Sequence, residues 1–209
     1  MTIKPPHTLA DAGRRQALAG GAAGALAMCF SPPSSAADGL LMEGHRFAAS
    51  QRVAGQALQL NGAGLRAVAW IKGYAVALYL PQRSSDVATV LAMPGPKRLQ
   101  LLMLMEAPAS ELVKAVNKGI TRNTSADERE QIKPQWQRFE ASMLDVEKVR
   151  KGDLVDFDLD TSRGMLFALN GTLQGEALEN NLLFSAVLRS FVGQRPYDPA
   201  LKAGLLGRA

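Results

Sequence analysis

The chain has 209 residues, 47% of them hydrophobic and 21% charged, and a formal charge of +5. That balance excludes a disordered chain and an integral membrane protein, and the length suits one globular domain. One cysteine (Cys29) and two histidines argue against a disulfide framework and against a cysteine or histidine metal site.

Residues 1–37 read as an export signal. Arg14 and Arg15 precede a modest apolar run from 17 to 30, and Ser35 and Ala37 fit the small-residue positions before a cleavage site. The run is shorter than the roughly 20 residues a membrane-spanning helix needs. The arginine pair and the Ala/Gly-rich run resemble a twin-arginine signal, with Gly13 as a departure where a Ser or Thr is usual. Cys29 follows Met28, which is bulky for a lipoprotein signal. The expectation is a periplasmic or secreted protein with residues 38–209 as its single domain. Lys4, Arg14, Arg15 and Asp11 belong to the leader, and removing their +2 leaves +3. No stripe of Lys and Arg interleaved with aromatics is present, which argues against a nucleic-acid partner.

The mature elements follow in order. Residues 39–59 hold a strand pair broken at Gly55. Residues 58–81 read as two strands: a first apolar run that ends in the glycine-rich turn Asn61-Gly62-Ala63-Gly64, and a second, 74–80, stopped by Pro81. Ser84-Ser85-Asp86 opens a short helix over 87–93. The run 98–105 predicts a strand buried on both faces. Leu112, Val113, Val116 and Ile120 make the apolar stripe of a helix over 110–122. A second helical stretch covers 125–144, with Pro134 starting a new segment and Trp136, Phe139 and Met143 facing the core. Residues 155–160 alternate apolar side chains with Asp156, Asp158 and Asp160, which predicts a strand with the aspartates on a solvated face. Asn170-Gly171 marks a hairpin over 164–175. Amphipathic residues 180–192 and the short run 199–206 make the last helices, with Gly193 ending the first. This order predicts an α+β fold: an antiparallel sheet with helices gathered on one face.

No Gly-x-Ser-x-Gly elbow, phosphate loop or dinucleotide-binding glycine pattern occurs, so no cofactor is expected. What remains is Arg66, a lone cation inside an apolar strand, with Tyr74 following. If the chain turns back between them, near Lys72-Gly73, the two lie on adjacent strands facing one side. A guanidinium fork and a phenol O–H together make a receptor for one acid group. An apolar cleft leading away would then hold a hydrocarbon tail, lined by the sheet and the 180–192 helix, at about 0.8 kcal/mol for each buried CH₂. The plainer alternative is a surface arginine on an edge strand and an ordinary strand tyrosine.

Three stretches together resemble the chalcone isomerase-like family, and more narrowly its bacterial exported members. They are Asn-Gly-Ala-Gly-Leu-Arg at 61–66, Tyr-Ala-Val-Ala-Leu-Tyr-Leu-Pro at 74–81 and Ser-Ala-Val-Leu-Arg-Ser-Phe-Val-Gly at 185–193. The resemblance covers 47–206. It implies an open-faced β-sandwich, a large antiparallel sheet under a layer of helices. True isomerases of the family close a chalcone to a flavanone. They use an arginine for the developing oxyanion, a threonine one strand later, a tyrosine and an asparagine on a helix, and a C-terminal Ser or Thr. Arg66 matches the arginine and Ser190 the Ser/Thr. The threonine position is Tyr74, and the helix positions fall at about Leu112 and Gly119, with Asn117 close by. A tyrosine at the threonine position is similar to the fatty-acid-binding, non-catalytic branch, where Arg and Tyr hold the carboxylate. The resemblance therefore implies a small lipid or carboxylate ligand bound by Arg66, Tyr74 and Ser190. Two alternatives stay open: an isomerase acting on a chalcone-like enone through Arg66, Tyr74 and Ser190, and an envelope interaction module with no small ligand.

Overall fold

A computed structural model describes residues 39–208 of the chain. The expected leader lies outside the described residues. The strands are β1 (Leu40–Met42), β2 (His45–Phe47), β3 (Ser50–Val53), β4 (Gln56–Val68), β5 (Ile71–Leu80), β6 (Lys97–Met103), β7 (Ala107–Pro108), β8 (Lys148–Val149), β9 (Leu154–Asp160), β10 (Gly164–Leu169) and β11 (Thr172–Leu173). The helices are α1 (Val87–Ala92), α2 (Ala109–Asn123), α3 (Ala126–Leu144), α4 (Leu182–Val192) and α5 (Pro199–Leu205). Seven strands form one antiparallel sheet in the order β11-β10-β9-β6-β5-β4-β3. The fold is α+β, as the element order predicts.

The helices pack on one face of this sheet. Val76, Leu78 and Leu80 of β5, Leu99, Leu101 and Met103 of β6 and Phe157 of β9 meet Val113 and Val116 of α2, Phe139 of α3 and Phe184, Val187 and Phe191 of α4. The period-2 alternation of the strands sends the intervening residues to the other face. There Phe47, Val53, Leu58, Ala75, Ala77, Tyr79 and Leu102 make a second cluster, and the sheet curls until β3 comes up against β9.

The aspartates of β9 correct the sequence reading. Asp156, Asp158 and Asp160 are 5%, 8% and 6% exposed, not solvated. Arg98 of β6 is the cross-strand partner of Asp158, and its Nε and Nη2 donate to the two carboxylate oxygens at 2.6 Å each. Gln100 donates to Asp156 at 2.8 Å. Asp160 accepts from the backbone N–H and hydroxyl of Ser162. Burial pushes the Asp156 carboxyl up from its ordinary value, against the pull of Arg98.

Two further expectations are corrected. Pro134 does not start a new segment; α3 runs through it. The missing N–H leaves the Glu130 carbonyl without its helical partner. Glu130 and Pro134 are both exposed, so water can satisfy that carbonyl. The helix gains a complete capping box at its start, with Ser125 and Glu128 each holding the other's backbone N–H.

The segment Asn61–Gly64 is not a turn. β4 continues through it, with a bulge between Leu60 and Gly62, and the chain reverses at Ala69-Trp70. The glycines serve a different purpose, because α5 lies backbone to backbone against β4. A Cβ on Gly64 would stand 2.6 Å from the Leu201 carbonyl oxygen, and one on Gly62 would overlap that of Gly204. Asn61, buried, donates to the Leu205 carbonyl at 2.7 Å and accepts the Ser84 N–H at 2.7 Å.

Candidate functional site

Arg66 and Tyr74 are direct cross-strand partners in the β4–β5 pair. Direct partners share a face of the sheet, and Tyr74 packs against the helix-side core. The pair stands at the end of the hairpin where β4 turns into β5. One guanidinium nitrogen, Nη1, donates to the Ala67 carbonyl at 3.0 Å and to Asp198 Oδ2 at 3.3 Å. The other oxygen of Asp198, Oδ1, caps α5 by accepting from Ala200 and Leu201 N–H. Asp198 thus ties the arginine to the start of the helix that rides on Gly62 and Gly64. Nε and Nη2 of Arg66 have no hydrogen-bond partner among the described residues, which leaves one edge of the fork for a ligand.

The pair opens onto a cleft of about 520 Å³ between α2 and the hairpin. Its floor is Arg66, Gly73, Tyr74 and Tyr197, and its wall is Glu111, Lys114, Ala115, Lys118 and Arg122 of α2, with Ile71 and Met105 at the edge. Behind Tyr74 and Tyr197, among Leu101, Leu112, Phe157 and Phe191, only about 20 Å³ is free. The apolar face of α4 therefore fills the core rather than lining a tail pocket. The open space runs along α2 instead.

The remaining sequence-predicted positions separate clearly. Ser190 does not line the cleft: it is fully buried, and its Oγ donates back to the Ala186 carbonyl at 3.1 Å within α4. Leu112 packs on the core and borders the small void. Asn117 lies on the side of α2 that faces Ile132 and Trp136 of α3, away from Arg66. Gly119 makes room for another residue. A Cβ there would stand 2.6 Å from Ser190 Cβ and overlap the Tyr197 phenol.

Tyr197 is the site residue that sequence reasoning missed. It comes from the link between α4 and α5, stacks edge-on against Phe191 at 5.0 Å and donates to the Ala115 carbonyl at 2.9 Å. Gly119 was the available signal. A glycine inside a helix costs about 1 kcal/mol relative to alanine, so it marks a close contact.

Burial sets the protonation of these phenols. It pushes Tyr74 up to about 12, with nearby Arg66 pulling the other way, and raises Tyr197 as well. Tyr79, on the opposite face, is also pushed up to about 12 by burial. These are all three tyrosines of the chain. Each keeps its proton at any physiological pH. The native fold therefore holds protons that an unfolded chain gives up near pH 10. Stability from this source is intact below about pH 10 and is lost as pH rises toward about 12. An alkaline titration followed by phenolate absorbance should be silent in the native protein near pH 10 and should show all three tyrosines in denaturant. A native phenolate signal near pH 10 would contradict this geometry.

A family model described as chalcone isomerase-like matches residues 40–207. Among solved structures, the chain is similar to the crystal structure of a fatty-acid binding protein of Arabidopsis thaliana. The likeness has a TM-score of 0.62 at 16% identity, over 81% of this chain and 96% of that one. No curated protein sequence matches. With its fold and a family match over most of its length, the chain belongs to the chalcone isomerase-like family.

Proposed function

We propose that the protein is an exported, non-catalytic binder of an anionic lipid, a fatty acid or similar carboxylate. The observation that carries this reading is the direct pairing of Arg66 and Tyr74 at the floor of an open cleft whose wall bears Lys114, Lys118 and Arg122. The free edge of the Arg66 fork and the Tyr74 O–H converge on one acid group. The tail lies along the cleft against Ala115, Ile71 and Met105. A volume of about 520 Å³ falls within the roughly 300–1,000 Å³ of small-molecule sites. The similar Arabidopsis thaliana structure is that of a fatty-acid binding protein, which supports the ligand class. The isomerase alternative is weakened by Leu112 and Gly119, which offer no side-chain hydrogen bond to a substrate.

A calorimetric titration of the purified chain with a fatty acid tests the reading. Arg66→Ala should weaken binding at least tenfold while leaving the circular dichroism spectrum unchanged. Tyr74→Phe, which removes one hydrogen bond of about 1 kcal/mol, should weaken it about fivefold. Undiminished affinity in Arg66→Ala would overturn the clamp. Turnover of a chalcone-like enone that depends on Arg66 would establish the enzyme instead.

A further inference from the structure

The mouth of the cleft carries side chains that a water-facing surface does not need. Trp70, at the turn between β4 and β5, is 89% exposed, and its neighbour Ile71 is 52% exposed. Met105 stands across the opening at 43% exposed. Beside them Lys114, Lys118 and Arg122 repeat every four residues and so share one face of α2. Four acids at this end are already engaged: Glu111 with Lys114, Glu43 with Lys72, Glu106 with Lys148 and Asp198 with Arg66. Lys118 and Arg122 have no carboxylate partner among the described residues.

A projecting tryptophan with aliphatic neighbours and uncompensated cations suits the headgroup region of a bilayer. The indole places its ring at the interface, and Lys and Arg are drawn to anionic lipid. We propose that the β4–β5 tip and the basic face of α2 dock on an anionic bilayer surface, so that the cleft opens at headgroup level. A lipid then passes between membrane and cleft without crossing bulk water. This proposal rests on the anionic-lipid reading of the cleft. The charge complementarity of Lys118 and Arg122 with anionic headgroups selects the bilayer over an uncharged apolar partner.

The test is sedimentation of the full chain with vesicles of phosphatidylcholine, alone or mixed with phosphatidylglycerol. The chain should bind the mixed vesicles, bind phosphatidylcholine alone at least tenfold more weakly, and be released by salt as screening grows. In a Trp136→Phe background Trp70 is the only tryptophan, and its emission should shift to the blue on the mixed vesicles. Trp70→Ala and the pair Lys118→Glu/Arg122→Glu should each weaken vesicle binding at least tenfold. Trp70→Ala should still bind a dispersed fatty acid in solution as the wild type does. A chain that binds fatty acid but ignores both vesicles overturns the docking face alone. So does vesicle binding indifferent to these substitutions, or a Trp70-dependent dimer in solution without lipid. Vesicle binding that follows the substitutions, in a chain that takes up no fatty acid, upholds the docking face and overturns the reading of the cleft.

Discussion

Arg98→Met should destabilise the fold by about 3–5 kcal/mol at neutral pH, the cost of removing one partner from a buried ion pair. The side chains of Arg98, Asp158 and Asp156 are 15%, 11% and 6% exposed. Burial works against the guanidinium's charge, and the hydrogen bonds and charge of Asp158, with help from Asp156, outweigh it. Without Arg98, Asp158 loses both of its 2.6 Å donors, and Asp156 keeps only Gln100. Two carboxylates then face each other in a nearly closed space. Burial already pushes Asp156 up, and losing the opposing pull of Arg98 pushes it further above its unfolded value, so the variant is least penalised at acid pH and loses stability as pH rises through that range. Urea unfolding across pH should show the gap to the wild type narrowing as pH falls toward about 4, the unfolded carboxyl value. The double variant Arg98→Met/Asp158→Leu should recover most of the loss, since replacing both partners removes the orphaned charge. A single variant as stable as the wild type would mean that the row Tyr79–Arg98–Asp158 across β5, β6 and β9 contributes nothing.

Gly64→Val should cost at least about 3 kcal/mol, the upper end of what overpacking a core does. The obstruction is backbone: the Leu201 carbonyl oxygen at 2.6 Å and its Cα at 3.0 Å cannot rotate away. α5 must lift from β4, which uncovers Leu201 and Leu205 and draws Asp198 away from Arg66. Any folded fraction should therefore bind a carboxylate more weakly as well, although Gly64 does not line the cleft. Gly73→Ala is the matched control. Its Cβ would meet only the Arg66 carbonyl, at an ordinary 3.6 Å. Thermal melts of the two variants should differ sharply, and equal melting points would contradict the close packing of α5 on β4.

These two residues also show where the sequence could and could not be read. The order of elements was legible because each signal is local. Ser84-Ser85-Asp86 opened a short helix, Asn170-Gly171 turned a hairpin, and the apolar stripe of α2 followed a helical period. Gly62 and Gly64 were misread because their purpose is non-local: they admit a helix some 137 residues later in the chain. The true turn at Ala69-Trp70 carries neither glycine nor proline, with Ala69 at φ 52°. The β9 alternation gave the correct period, but the rule that polar means solvated failed because Arg98 lies in register one strand away. The pairing of Arg66 with Tyr74 was legible, since it needs only a reversal between them. Tyr197 was not. It lies in an irregular link, and only the fold brings it to Gly119.

The central claim is that this protein carries an anionic lipid on Arg66. Native mass spectrometry of the protein purified from its own host, followed by denaturation and identification of what is released, tests it most directly. The account predicts a stoichiometric fatty acid or similar carboxylate in the wild type and its loss in Arg66→Ala. A protein that emerges empty and also ignores added fatty acids would contradict it.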